Sequence, residues 1–381
     1  MKTEDLTPAE LKIALLCKGL NFDINAFRDI NRDFYENQFV YNVTSKGLTN
    51  MHRFPQVLCL EDKVVSALLR KPGSKLGLRA GKEDILITYE GEPFSIAQYP
   101  EKPAYFGKRL SDGSLSDKVI AVAGAETPGF FFYPDCTYFV KGVPCKFCPI
   151  KGTRKTVGKE MVSDFSKEKL AEATRLFQKT PWRDIPIISI TTGTFPNNDD
   201  GAKYVSDLIH VIYDALDPKI PIHLLTMPPN DLGLINEYKQ AGVTTLAFNI
   251  EVFDEALFKE ICPGKERYYG YKPFVKSFDA ARKIFGDYNI FCGFVWGLES
   301  VESTVAGYRY FLDRGISVSS NVFHSDPKSV YSNRPHPSED FVRGLCNAQT
   351  ELHLEYPGSK PIFTCSMRNT LDHEIYRGDF R

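Results

Sequence analysis

The sequence predicts an α/β protein whose main body is a partial (β/α)6 barrel of the TIM type, with a small N-terminal α+β region and a C-terminal helical tail. Two observations carry that prediction. From about residue 129, six short apolar runs alternate with amphipathic stretches, the rhythm of a parallel sheet joined by helical crossovers. Three of the amphipathic stretches stop at Gly242, Gly286 and Gly315, each just before the next apolar run, where a left-handed helix cap is wanted. Right-handed crossovers close such a sheet fully or partly into a barrel.

Taken in order, the first region spans residues 1–125. Thr7-Pro8-Ala9-Glu10 has capping-box spacing with proline in the first helical position, which announces a helix. Ile85–Tyr89 and Val119–Val122 read as strands set among glycine-rich turns. The barrel follows over residues 126–335. Its strands are expected at Gly129–Tyr133, Ile185–Thr191, Pro221–Thr226, Thr245–Ile250, Asn289–Trp296 and Ser317–Phe323. Its helices are expected at Lys167–Gln178, Ala202–Leu216, Leu232–Gln240, Phe274–Phe285 and Thr304–Arg314. Residues 336–381 form the tail. In barrels of this kind the chemistry sits at the C-terminal ends of the strands, so residues 1–125 and the tail are expected to cover that mouth.

Composition narrows the function. The 381 residues carry 47 Lys+Arg against 48 Asp+Glu, a formal charge of −1, with 43% hydrophobic residues. That balance excludes a generally basic nucleic-acid binder. No apolar run approaches the roughly 18–20 residues of a membrane span. The start, Met1-Lys2-Thr3-Glu4-Asp5, is acidic and unlike a secretory signal. A cytoplasmic protein is expected, without nucleic-acid or membrane partners.

Nine dispersed cysteines in such a chain argue against a disulfide framework and for metal ligation or catalysis. Three of them, Cys136, Cys145 and Cys148, fall together as C-x8-C-x2-C in the loop after the first barrel strand. Structural zinc wants four closed ligands, and the nearest histidines in sequence are His52 and His210. Three thiolates with an open position suit an iron–sulfur cluster. Zinc with a distant fourth ligand and three unligated cysteines remain the alternatives.

This loop, with the aromatic Phe147 just before its last cysteine, resembles that of the radical S-adenosylmethionine (radical SAM) superfamily. The commonest spacing there is C-x3-C-x2-C; the first gap is longer here. Three further stretches match in order. Thr192-Gly193-Thr194, ending the second strand, stands where the family holds the methionyl amino group. It departs from the family's Gly-Gly-Glu-like stretch but offers carbonyls and hydroxyls; the plain alternative is a strand-to-turn signal. Asn249 and Glu251, ending the fourth strand, are poor core residues and good partners for ribose hydroxyls and an ammonium, unless they are solvated rim groups. The fifth strand reads Cys292-Gly293-Phe294-Val295-Trp296-Gly297-Leu298-Glu299, similar to the family's GxIxGxxE pattern, in which backbone beside the hydrophobic residue pairs with adenine; Glu299 falls one residue early.

The resemblance covers residues 125–335 and leans toward the biotin synthase-like branch. Thr191–Thr194 together with Ile96–Pro100 also resembles a subfamily encoded near nitrilases, which implies a small nitrogenous metabolite. The superfamily implies a [4Fe-4S] cluster on Cys136, Cys145 and Cys148. It implies S-adenosylmethionine at Phe147, Thr192, Gly193, Thr194, Asn249, Glu251, Val295 and Gly297. One electron from flavodoxin or ferredoxin would cleave it to a 5′-deoxyadenosyl radical that abstracts hydrogen from a small metabolite, in a rearrangement, bond cleavage or ring formation. A peptide- or protein-modifying enzyme and a non-enzymatic metal-binding scaffold are the competing functions.

Other residues are weighed singly. His324, ending the sixth strand, and Cys365, on a tail returning over the barrel, are candidate catalytic residues; the bland readings are a hydrogen-bonded histidine and packing. His223, inside the third strand, reads as a satisfied core residue, and Cys262 as a small buried apolar one. Lys265 and Arg267 are candidates for the methionine carboxylate. The basic run Lys151–Lys155 is a reductant contact or a solvated turn, and Met227-Pro228-Pro229-Asn230 a rigid turn at the mouth.

Overall fold

The computed structural model describes residues 6–23, 25–27, 55, 57–124, 127–151, 165–180, 187–326 and 328–381. The start Met1–Asp5, the opening of the second expected strand, and all of the basic run but Lys151 lie outside them.

Two sheets organise the chain. A five-stranded antiparallel sheet has the order β2-β1-β5-β4-β3, from β1 Val57–Cys59, β2 Val65–Ala67, β3 Leu76–Ala80, β4 Asp84–Tyr89 and β5 Glu92–Gln98. Helix α1, Pro8–Lys18, packs on it; the capping box of Thr7 and Glu10 is present and Pro8 opens the helix. Leu11, Ala14 and Leu15 share one core with Leu58, Leu76, Ile85 and Ile87.

The second sheet has seven strands in the order β12-β11-β10-β9-β8-β7-β6. Six of them run parallel: β7 Thr127–Tyr133, β8 Ile188–Thr192, β9 Ile222–Leu225, β10 Thr245–Glu251, β11 Ile290–Trp296 and β12 Ser317–Val322. These are the six expected strands, shifted by a few residues. The seventh, β6 Ala121–Ala123, pairs antiparallel with β7. The run read as Val119–Val122 is therefore a barrel edge strand, preceded by helix α2 Ser116–Val119.

Short helix α3, Thr137–Val140, follows β7. The connecting helices are α4 Lys167–Lys179, α5 Asn198–Ala215, α6 Ile235–Gln240, α7 Glu255–Ile261, α8 Pro263–Tyr268, α9 Tyr271–Phe285 and α10 Val301–Leu312; α11 Glu339–Glu355 and α12 Asp372–Arg377 form the tail. Ser166, Asn197, Asp254, Ser300 and Ser338 cap helix starts with their side chains. Gly242, Gly286 and Gly315 all take positive φ. The pair α7 and α8 is not expected from the sequence; Pro263 splits what is otherwise one stretch of mixed charged and apolar residues.

Strand parity sets the two faces. Ile188, Ile190, Ile222, Leu224, Leu246 and Phe248 are fully buried in the core they share with the helices. The alternate residues Ser189, Thr191, His223, Leu225, Asn249 and Glu251 line a central cavity. Only the helix-covered face is apolar throughout; the cavity face carries most of the strands' polar residues. Cys292 belongs to the outer face, with Phe248 opposite, and so points away from the cavity.

Strands β6 and β12 do not meet, so the barrel is open on one side. The tail fills that gap. Met367 lies against Gly124 just after β6, and Val322 of β12 donates its N–H to the Asn369 carbonyl at 2.8 Å. The Ala67 N–H donates to the Arg368 carbonyl at 2.6 Å, tying the small sheet to the same segment. The tail thus runs along the open side of the barrel. Among the described residues, no helix is long and apolar enough to cross a membrane.

Candidate cluster and cofactor site

The loop after β7 is shaped by its own backbone. Asp135 Oδ1 accepts from the Cys136 N–H at 2.8 Å, and Cys136 then precedes the single turn of α3. Gly142, at φ 74°, reverses the chain, and the Val143 N–H returns to the Tyr138 carbonyl at 2.9 Å. The eight residues between the first two cysteines are spent on this helical turn and reversal, so Cys145 comes back to the side that Cys136 faces. A tight turn, Cys148 N–H to Cys145 carbonyl at 3.1 Å, places the third thiol. All three cysteines, with Phe147, line the same cavity.

The loop is held from three sides. The Lys146 N–H donates to the Ile261 carbonyl at 2.9 Å, and the Lys146 carbonyl accepts from the Tyr331 N–H at 2.9 Å. Gly264 in α8 lets Tyr138 and the Val143 carbonyl approach to where a Cβ would stand 2.5 Å from each. Across the loop, the Gly193 N–H donates to the Tyr133 carbonyl at 2.8 Å and the Thr137 N–H to the Thr194 carbonyl at 2.9 Å. A Cβ on Gly193 would lie 1.6 Å from the Asp135 carbonyl oxygen, so only glycine permits this junction. Thr192 bonds Thr226 through their hydroxyls at 2.9 Å.

Burial works on these thiols unequally. Cys148 is raised, first by burial and then by its neighbours Cys145 and Cys136. Cys145 is lowered, chiefly by a hydrogen bond from Cys262 and then, against the cost of burial, by Lys265. Cys262, at the C-terminus of α7, is fully buried as expected, but it adjoins the loop, which its sequence position did not signal. Among the described residues no three His, Cys, Asp or Glu side chains stand together as ligands of a single metal ion. Thiolates of a cubane cluster each take a different iron and stand farther apart, so three soft donors around an open cavity fit a [4Fe-4S] cluster better than zinc.

The end of β10 supplies the opposite wall. A register shift between Asn249 and Glu251 puts Glu251 at φ 73°. Its carboxylate pairs with Lys265 Nζ at 2.8 Å, and the same Nζ donates to the Asn249 carbonyl at 2.6 Å. Lys265 is buried; burial opposes its charge, yet Glu251 and the thiols of Cys145 and Cys262 hold its pKa above the ordinary value. Arg267 lies instead over the Tyr268 ring at 5.5 Å. Gly293 makes room for the Asn249 amide, which a Cβ would meet at 2.1 Å.

The remaining expected residues fall elsewhere. Val295 shares the strand face of Gly293, and Gly297, at φ 96°, packs against Pro337; neither lines the cavity. Glu299 accepts from the Phe253 and Asp254 N–H groups at 2.9–3.1 Å and from Ser303 Oγ at 2.7 Å, so it ties together the turns after β10 and β11. His324 pairs with Asp326 at 3.1 Å and lies outside the cavity walls. Cys365 lines the cavity beside Thr127, at 3.6 Å. Met227 lines it too, and the Pro229 carbonyl accepts from Tyr269 OH at 2.8 Å. Sequence reasoning missed His223, which faces the cavity; the signal was its parity with Ser189 and Leu225.

Residues 131–306 match the family model of the radical SAM superfamily. The chain is similar to the bacteriochlorophyllide c C-7(1)-hydroxylase of Chlorobaculum limnaeum, at 22% identity over 79% of this chain and 78% of that one. Among solved structures it is similar to a methylornithine synthase, at 16% identity and TM-score 0.43 over 61% of this chain and 63% of that one. It is also similar to the FeFe-hydrogenase maturase HydG of Carboxydothermus hydrogenoformans, at 17% identity and TM-score 0.42 over 61% and 52%. The chain spans less than two thirds of the length of these two solved structures. Residues 131–306 thus form a radical SAM domain, within the curled seven-stranded sheet; members of that superfamily are enzymes that use a [4Fe-4S] cluster and S-adenosylmethionine.

Proposed function

We propose that this radical SAM enzyme holds its cluster on Cys136, Cys145 and Cys148 and acts on a small, largely apolar molecule bound inside the barrel. One observation carries the reading: the three loop thiols, the ends of β8 and β10, and Lys265 all open onto one cavity of about 470 Å³, whose walls are mostly apolar. When bound, the cluster and S-adenosylmethionine supply a 5′-deoxyadenosyl radical that takes a hydrogen atom from the substrate.

The chain's own residues bind, orient and shield. The Thr192–Thr194 carbonyls and hydroxyls face the place of the methionyl ammonium. Lys265, the cation beside the loop, stands for the methionine carboxylate, held there by Glu251. Asn249 offers its amide to ribose hydroxyls. Phe131, Leu225, Ile362 and Phe363 exclude water from the space beyond. The similarity to a hydroxylase supports attack on an unactivated C–H bond, and the tail across the open side of the barrel favours a small molecule over a folded peptide. An acidic one-electron donor docks on the outer face of the cluster loop, where Lys141 and Lys146 stand beside the exposed Val140.

Anaerobic purification tests this. A brown protein with about four irons per chain that forms 5′-deoxyadenosine from S-adenosylmethionine and dithionite is expected; the triple variant with Cys136, Cys145 and Cys148 all changed to alanine should do neither. A colourless, zinc-loaded protein would overturn the assignment.

A further inference from the structure

Resting on that reading of the cavity, we propose that His223 is a substrate-binding residue. Its Nε2 hydrogen-bonds a hydroxyl group at the far end of a largely apolar molecule that reaches down the barrel from the cluster loop.

His223 lies on the inner face of β9, only 2% exposed, and lines the cavity. Its Nδ1 is engaged by Thr245 Oγ1 of the neighbouring strand at 2.8 Å. The ring is braced edge-to-face by Phe291 of β11 at 5.8 Å and by Phe363 of the tail at 5.9 Å. One nitrogen is thus taken and two aromatic rings fix the plane, which leaves Nε2 as the ring's remaining hydrogen-bonding atom. No second hydrogen bond of the His223 side chain occurs among the described residues. His223 borders the cavity, so a polar group of a bound molecule can reach this remaining nitrogen.

The partner's chemistry follows from the surroundings. Burial pushes the imidazole down to about 3, so it is neutral in the working range and offers no charge to a carboxylate or phosphate. A hydroxyl both donates and accepts, so it pairs with either tautomer that Thr245 selects. Phe363 lies against the ring, Ser189 and Thr245 stand in register with it on the flanking strands, and Leu225, Ala247, Gly129 and Ile362 extend the same cavity wall with surface that suits hydrocarbon. Met227 lines the same cavity at the level of the strand ends. It and His223 are four residues apart, on the order of 13 Å where the chain is extended at ~3.3 Å per residue, with β9 ending between them at Leu225. The molecule is therefore elongated, with its reactive carbon near the loop and its hydroxyl below.

The test uses the cluster-reconstituted enzyme with S-adenosylmethionine, labelled with ¹⁵N-histidine, and two probes, 1-octanol and octanoate. The His223 signal is assigned by its loss in His223→Phe or, should that variant not fold, in His223→Gln. A shift of Nε2 with 1-octanol but not with octanoate is expected, with octanol binding roughly tenfold weaker in His223→Phe. Equal shifts with both probes, or none with octanol, would sink the proposal. Formation of 5′-deoxyadenosine is measured on the same samples. If it forms while octanol leaves Nε2 unmoved, the role of His223 alone fails; if octanol moves Nε2 and no 5′-deoxyadenosine forms, the proposed function alone fails.

Discussion

The two long walls of the cavity are built in opposite ways. The cluster wall is local: thirteen residues from Cys136 to Cys148, shaped by their own turns and clasped by the adjoining ends of β8 and α7. The tail wall is made of contacts between the ends of the chain. Thr127 meets Cys365 across 238 positions, and Lys12 meets Ser366 across 354. In the proposed function, cofactor chemistry sits on a short loop braced by α7, α8 and Tyr331, while the shape of the substrate space depends on distant segments closing correctly. The first wall answers to ligand substitutions and the second to stability.

The largest effect is expected at the cluster wall. Cys145→Ala should abolish bound iron and 5′-deoxyadenosine formation, whereas Cys262→Ala, which removes only the hydrogen bond to Cys145, should keep most of the iron. Iron and sulfide analysis of anaerobically reconstituted protein separates the two. Equal loss in both would make Cys262 a ligand and redraw that wall.

At the tail wall the sensitive point is Lys12. It is fully buried on α1 and donates to Glu374 at 2.9 Å, to the Met367 carbonyl at 2.6 Å and to Ser366 Oγ at 3.1 Å; Ser366 Oγ in turn bonds Glu374 and accepts from the Val65 N–H at 2.9 Å. Burial lowers the Lys12 pKa, and Glu374 opposes that. Lys12→Met leaves the buried Glu374 without its cation, a loss of about 3–5 kcal/mol. Urea unfolding should show it, with iron content per folded chain unchanged. Loss of iron in proportion would show the two walls to be one unit.

The same contrast explains what was legible beforehand. The six parallel strands and their helices declare themselves because each is a short apolar or 3.6-period run ended by local glycines and caps. The cysteine loop declares itself by spacing. The strand read at Val119–Val122 is legible as a strand but not as a barrel edge, because its membership is decided by pairing with β7. His324 and Cys365 were ranked together from position alone, yet one pairs with Asp326 outside the cavity and the other lines it. The expectation for His223 weighed burial without facing: buried strand residues have two sides, and the odd-numbered side here is a cavity.

That facing has a pH signature. The folded imidazole titrates near 3 and the unfolded one near its ordinary 6.5. Below pH 6.5 the unfolded chain binds a proton that the folded chain refuses, so stability falls as pH drops from 6.5 toward 3. The contribution is about 2 kcal/mol at pH 5 and vanishes above pH 7. His223→Phe should remove that part of the slope in urea titrations at pH 7 and pH 5. His336, pushed down to about 4 first by burial, keeps a remainder. An unchanged slope would mean that His223 titrates normally and faces water.

The smallest effect is expected on the outside of the cluster wall. Lys141 rests over the Tyr268 ring at 3.8 Å, and Lys146 pairs with Glu260 at 3.2 Å, both on the segment between Cys136 and Cys148. These half-exposed side-chain contacts add little to the hold that the Lys146 backbone gives the loop. The pair places positive charge on the face nearest the thiols, the docking face proposed for an acidic one-electron donor. Charge at an interface rim acts mainly on encounter and is screened by salt. Lys141→Glu with Lys146→Glu should raise KM for reduced flavodoxin roughly 3–10-fold at low salt and much less at high salt. With dithionite, a small anion that needs no docking face, the rate should change far less. An equal loss with both reductants would instead place the lysines in the loop's structure and bind the outer face to the inner one.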